Sequence, residues 1–242
     1  MSVLTLDNIS KKFADNDIIK NLQLQVNNGE FVSILGPSGS GKSTLFSLIG
    51  GILSPDSGTI LLEDKNINGN TGAISYMPQS PSLLPWKTVL QNVLLGQELK
   101  GSKDEEKALQ MIEKAGLAEY ANAYPRQLSG GMKQRVSFIR ALLSPQPLIC
   151  LDEPFSALDE LTRLDMQKWL LSIWEDHRRT VLFVTHNIEE ALFLSDRIVI
   201  LSNKPASILA DFEIPFKRPR GEELFLEDDF FEWKRKIYHA MK

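Results

Sequence analysis

The sequence has a single cysteine, Cys150, among 242 residues. One cysteine cannot form an internal disulfide, so we expect the chain to work in a reducing compartment. No apolar run approaches the roughly 20 residues needed to cross a bilayer. The first residues, 1–7, lack the basic and apolar stretches of a secretory signal. These absences predict a cytosolic chain.

The chain also lacks an excess of positive charge. Lysine and arginine total 27 against 31 aspartate and glutamate residues, which gives a net charge of −4. This balance argues against a nucleic-acid partner, because no strong positive field draws phosphates from a distance. With 43% hydrophobic and 24% charged residues, the composition is that of a folded protein.

Strand-like and helix-like segments alternate along most of the chain, which predicts an α/β fold. Apolar runs at 31–35, 147–152 and 180–184 predict buried strands. The first run leads through a glycine-rich loop into a helix with apolar residues at helical spacing: Leu45, Leu48, Ile49 and Ile52. A second amphipathic helix is predicted from Met166, Trp169, Leu170 and Ile173.

The segment from about 80 to 143 reads as helices without a strand. Within it, Ser102 and Glu105 form a capping-box pattern, and Gly116 predicts the end of that helix. We therefore expect one domain over 1–242. Its parts would be an α/β core at about 1–79 and 144–205, an inserted helical subdomain at about 80–143, and a C-terminal hairpin and helix at about 206–242.

The C-terminal helix carries an apolar face formed by Phe230, Trp233, Ile237 and Met241. We expect this face to pack on its own domain. The alternative is a helix that lies on a membrane surface or binds a partner.

A glycine-rich loop follows the first buried strand and fits the pattern G-x-x-x-x-G-K-[ST]. Its glycines let backbone N–H groups surround a phosphate, and the N-terminus of the next helix favours negative charge. Lys42 is expected to reach the β- and γ-phosphates, and the Ser43 hydroxyl to bind Mg²⁺. The predicted nucleoside-triphosphate-binding residues are Gly36, Pro37, Ser38, Gly39, Ser40, Gly41, Lys42, Ser43 and Thr44.

Two carboxylates end the strand predicted at 147–152. Ligands of α/β sheets bind beyond the carboxyl ends of the strands, so Asp152 and Glu153 are expected near the phosphates. Asp152 is expected in the coordination shell of Mg²⁺, and Glu153 is expected to polarise or deprotonate the attacking water.

A second potential anion site begins at Ser129, where a helix-capping serine precedes Gly130 and Gly131. The run Leu128–Arg135 resembles the signature motif of ATP-binding-cassette (ABC) ATPases. Its serine, Ser129, lies 23 residues before Asp152, as in that family. The resemblance extends over about residues 3–202. It implies a P-loop NTPase core with N-terminal antiparallel strands and an inserted helical subdomain.

Other family motifs occur in the expected order. Gln79 resembles the Q-loop glutamine, which contacts Mg²⁺ or the lytic water, and residues 156–159 resemble the D-loop that ends at Asp159. His186 resembles the switch histidine that contacts the γ-phosphate, and Phe13 the aromatic residue that stacks on adenine. The resemblance implies ATP and Mg²⁺ as ligands and Lys42, Gln79, Glu153 and His186 as catalytic residues.

In the family, the signature motif of one chain covers the ATP held by the phosphate loop of another. The resemblance therefore implies a homodimer in which Ser129, Gly130 and Gly131 act in trans. A two-fold axis would then create two closed composite sites.

The segment Ser82–Val93 places Leu83, Leu84 and Trp86 directly after Gln79. These residues belong either to the core or to a groove that receives a helix of a membrane subunit. The Leu-Leu-Pro-Trp run and Tyr124-Pro125 resemble the ATPases of nitrate, sulfonate and taurine importers, a group that includes thiamine-precursor carriers. This resemblance implies a peripheral ATPase at the cytoplasmic face of the membrane, with permease subunits and, indirectly, an extracytoplasmic substrate-binding protein.

Two other functions are considered. A soluble ABC ATPase acting on ribosomes or DNA usually has two cassettes or a long coiled coil, whereas Gln79 and Ser129 are only 50 positions apart. A P-loop kinase would have no use for the signature motif or for His186. Both are less consistent with the sequence than an importer ATPase.

Overall fold

The computed structural model describes all residues from Met1 to Lys242. It contains two β-sheets and eight α-helices, which confirms the predicted α/β class. The helices are α1 (Lys42–Ile49), α2 (Val89–Val93), α3 (Leu95–Leu99), α4 (Glu105–Lys114), α5 (Gly130–Leu142), α6 (Glu160–His177), α7 (Ile188–Leu194) and α8 (Asp228–Ala240). None of them combines the length and the apolar character that crossing a bilayer requires.

The N-terminal sheet is antiparallel and has the strand order β2-β1-β4-β5. Successive side chains of β2 point to opposite faces of this sheet. Leu22, Leu24 and Val26 are therefore buried, and the residues between them are polar and exposed. The three buried residues pack in the smaller of two hydrophobic clusters, together with residues of α1. The strands are β1 (Ser2–Phe13), β2 (Asn16–Asn27), β4 (Ser57–Leu62) and β5 (Lys65–Asn66).

The second sheet has the order β10-β9-β3-β8-β7-β6. Its neighbouring strands are parallel except for β10, which is antiparallel to β9. β3, β7 and β8 are buried at every residue, as expected for strands that are covered on both faces. The strands are β3 (Phe31–Leu35), β6 (Ser75–Met77), β7 (Leu148–Asp152), β8 (Thr180–Val184), β9 (Arg197–Leu201) and β10 (Ile208–Glu213).

Residues 89–142 contribute α2 to α5 and no strand. The apolar faces of α2, α4 and α5 join the larger hydrophobic cluster, which also contains residues of α6, α7 and the second sheet, whereas α3 has no buried residue. Phe138 of α5 stacks on Phe155 with 5.6 Å between the ring centroids, and Trp169 of α6 meets Phe138 edge-on. This packing fixes α5 relative to the end of β7.

The C-terminal helix α8 packs on its own domain, as expected. Phe230 and Ile237 are buried in the larger cluster, and Trp233 and Met241 pack against it. The hairpin that precedes the helix is formed by β9 and β10.

Two local predictions are wrong. Helix α4 is capped by Asp104, whose carboxylate accepts the N–H of Lys107 at 3.0 Å, and not by Ser102. The helix therefore begins at Glu105 with an aspartate cap, which competes successfully with the serine two residues earlier. Ile52 lies beyond the end of α1 and is 65% exposed, so it is not part of the buried stripe.

The cap assignment is testable. We expect Asp104→Ala to destabilise the first turn of α4 by about 1 kcal/mol, which corresponds to roughly fivefold faster hydrogen exchange of its amides. Ser102→Ala is the matched control and is expected to leave that exchange unchanged. Faster exchange in the serine variant alone would contradict the assignment.

Candidate functional site

Five adjacent parallel strands end at the same edge of the second sheet. In spatial order they are β9, β3, β8, β7 and β6. Side chains that follow neighbouring parallel strands lie close together, because all the carboxyl ends point the same way. The residues that follow or end these strands are Lys204, the phosphate loop, His186, Asp152 with Glu153, and Gln79.

The phosphate loop wraps around the side chain of Lys42. The ammonium group donates to the carbonyl oxygens of Gly36 at 2.8 Å and Pro37 at 2.9 Å. Burial lowers the pKa of Lys42, and the nearby Glu153 and Asp152 carboxylates raise it in partial compensation. The lysine is thus a preorganised cation at the start of α1.

Glycine is needed at position 41 for two reasons. Its φ of 104° lies in the left-handed region, and a Cβ atom there would come within 3.2 Å of the Ile18 side chain. Because Ile18 belongs to β2, this contact shows that the β1–β2 hairpin packs against the phosphate loop. Phe13, at the end of β1, is 46% exposed on this hairpin.

A cavity of about 510 Å³ opens beside the loop. It contains no hydrophobic residue, which suits a highly charged ligand such as a triphosphate. Two lysines and the N-terminus of α1 supply positive charge for such a ligand. The lining residues are Ser38, Gly39, Gly41, Lys42, Ser43, Thr44, Glu153, His186 and Lys204.

Glu153 and His186 are in contact with each other in the lining of this cavity. The His186 Nδ1 atom lies 3.1 Å from a carboxylate oxygen of Glu153. Glu153 has a φ of 43°, which is uncommon for a residue other than glycine. Its N–H donates to the carbonyl of Val184 at 2.9 Å and ties this turn to the end of β8. The arrangement presents a carboxylate and an imidazole to one ligand.

Asp152 is only 9% exposed, and burial raises the pKa of its carboxyl group. The Tyr76 hydroxyl donates to its Oδ2 atom at 3.0 Å and opposes that rise. Burial, together with the Asp152 charge, raises the pKa of Tyr76, so the phenol stays protonated and acts as the donor.

Of the three residues predicted to bind Mg²⁺, Ser43 lines the cavity, whereas Asp152 and Gln79 lie outside its lining. All three carry oxygen atoms, the donor type that Mg²⁺ prefers. No group of three or more histidine, cysteine, aspartate or glutamate residues forms a potential metal site. Gln79 donates its side-chain N–H to the Ser156 hydroxyl at 3.0 Å, which links it to the segment after β7.

Ten of the predicted residues do not line the cavity, among them Gly36, Pro37, Ser40, Gln79 and Asp152. Ser129 caps α5 by accepting the N–H of Met132, and Gly130 beside it is exposed. Asp159 caps α6 by accepting the N–H of Thr162 at 3.1 Å. Gly131 and Phe13 also lie outside the lining.

Sequence reasoning missed Tyr76 and Lys204. Tyr76 precedes Gln79 by three residues, but its contact with Asp152 depends on the pairing of β6 with β7. Lys204 lies in the turn between β9 and β10, and only the position of β9 beside β3 brings it to the cavity. A basic residue three positions after the end of a strand is the signal in the sequence that could have identified it.

Residues 19–156 match the family model described as "ABC transporter". The chain is 44% identical to the formylaminopyrimidine import ATP-binding protein ThiZ of Halalkalibacterium halodurans, over 88% of this chain and 85% of that protein. It is 42% identical to the bicarbonate transport ATP-binding protein CmpD of a Synechocystis strain, over 93% of this chain and 83% of that protein.

The fold matches a solved cassette, MJ0796, described as dimeric, in a post-hydrolysis state and bound to ADP and Pi. The TM-score is 0.75 and the sequence identity 32%, over 88% of this chain and all of the other. The predicted P-loop NTPase fold and the predicted family are both confirmed. The chain belongs to the ABC transporter family and is an ATP-binding subunit of the type found in importers.

Proposed function

We propose that the chain hydrolyses ATP to power the uptake of a small solute of the sulfonate, nitrate, taurine or thiamine-precursor type through separate membrane subunits. The observation that carries this proposal is the polar cavity in which the phosphate loop meets Glu153 and His186. The importer role is supported by the names of relatives that match most of the chain.

The loop residues would bind the phosphates through their backbone N–H groups, and Lys42 through its ammonium group. Glu153 would orient the attacking water and accept its proton, and His186 would donate a hydrogen bond to the γ-phosphate. Bound Mg²⁺, held by Ser43, Asp152 and Gln79, would neutralise phosphate charge.

The site of one chain is incomplete in this proposal. The helix start at Ser129, with Gly130 and Gly131, is an exposed anion-binding geometry outside the cavity. A second copy would place these three residues over the ATP of the first. The dimeric state of a similar cassette supports this arrangement. Asp159 is a further proposed nucleotide-binding residue.

Trp86 supports a docking role for the loop after Gln79. It is 70% exposed, which does not fit a core residue. The loop itself is held firmly by Asn92, which is fully buried and donates to the carbonyl oxygens of Leu84, Lys87 and Thr88. An exposed tryptophan on a fixed loop is typical of a binding hot spot. Its partner would be a permease subunit, with the chain peripheral at the cytoplasmic face of the membrane.

The role of Glu153 is tested by Glu153→Gln. We expect ATP binding to persist and turnover to fall by about 100-fold or more, because the base is lost while the shape is kept. Glu113→Gln, an exposed change on α4, is the matched control for removal of one negative charge. Hydrolysis at the wild-type rate by Glu153→Gln would exclude the base role.

The docking role is tested by Trp86→Ala. We expect weaker co-purification with an integral membrane subunit, with a loss of about 2 kcal/mol or roughly 30-fold in affinity. ATP binding should be unchanged. Tyr238→Ala on α8, also exposed, is the control. Recovery of the wild-type chain with ribosomes or DNA, and with no membrane protein, would favour the soluble alternative.

A further inference from the structure

Tyr76 is the middle residue of β6, which runs parallel to β7. In the register of these strands it is opposite Cys150, two residues before Asp152. Ser75 and Met77 are buried on one face of the sheet, and Tyr76 points to the other face, with 37% of its surface exposed. Its hydroxyl donates to Oδ2 of Asp152 at 3.0 Å.

The ring of Tyr76 also contacts the helix that begins at the phosphate loop. It lies edge-on to Phe46 of α1, with 6.1 Å between the ring centroids and an interplanar angle of 80°. Phe46 is almost fully buried and lies three residues after Ser43. Tyr76 therefore bridges the strand that ends in Asp152 and the helix that carries Ser43.

No other protein group donates a hydrogen bond to the Asp152 carboxylate. A carboxylate with a single fixed partner is held in one orientation, and its second oxygen remains free for another ligand. Partners that orient a metal ligand in this way commonly contribute 10- to 100-fold to metal affinity.

We propose that Tyr76 is a positioning residue for Mg²⁺: it holds the Asp152 carboxylate in the orientation in which that group takes up the metal of Mg-ATP. This inference rests on the proposed function, because the metal role of Asp152 is part of that proposal. Gln79, another proposed Mg²⁺ ligand, follows the end of the same strand by two residues.

The test is Tyr76→Phe, which removes the hydroxyl and keeps the ring against Phe46. The measurement is equilibrium binding of a fluorescent, hydrolysis-resistant ATP analogue, titrated with Mg²⁺ and repeated in EDTA. We expect about tenfold more Mg²⁺ to be required, with unchanged binding in EDTA. Tyr120→Phe is the control, because Tyr120 is equally exposed and its hydroxyl makes no hydrogen bond.

A double-variant comparison separates orientation from packing. In an Asp152→Asn background, Tyr76→Phe should cause no further change in the Mg²⁺ requirement. The inference would be overturned if the Mg²⁺ titration of Tyr76→Phe coincided with that of wild type. It would also be overturned if Tyr76→Phe raised the Mg²⁺ requirement equally in the wild-type and the Asp152→Asn backgrounds. If Mg²⁺ does not change the binding of the ATP analogue to the wild-type chain, the proposed metal role of Asp152 is wrong as well. This result distinguishes a wrong role for Tyr76 alone from a wrong metal site.

Discussion

The common direction of five adjacent parallel strands is the constraint on which the site depends. Each strand is fixed by hydrogen bonds to its neighbours, and β3, β7 and β8 are buried on both faces. The loops at their carboxyl ends therefore start from rigid positions. This geometry brings residues from distant parts of the sequence to one polar cavity: Lys42, Glu153, His186 and Lys204.

Electrostatics explains why this edge suits a triphosphate. Lys42 is largely buried, and backbone carbonyl groups hold its ammonium group. The carboxylates of Asp152 and Glu153 lie nearby and favour its charged form. A triphosphate with its metal would add negative charge beside the lysine and positive charge beside the carboxylates. The protein thus carries complementary charges before any ligand arrives, which reduces the reorganisation that binding requires.

The features that depend on a local pattern of residues could be predicted from the sequence. The buried runs, the phosphate loop and the helix capped by Ser129 all follow from residues close together in the chain. Features that depend on strand register could not be predicted, and the contact between Tyr76 and Asp152 is the clearest example. The predicted cap of α4 was wrong for another reason. Ser102 and Asp104 both precede the helix, and the N-cap preferences of serine and aspartate are too similar to decide between them.

We propose that ATP is hydrolysed between two copies of the chain, with Ser129 of one copy completing the site of the other. The most direct test is the ATPase rate per chain, measured while the isolated protein is diluted through its dimer dissociation range. In the dilute limit we expect the rate per chain to fall about tenfold for each tenfold dilution, and Ser129→Arg to abolish it at every concentration. A rate per chain that is independent of concentration and insensitive to Ser129→Arg would show that one copy hydrolyses ATP without the other.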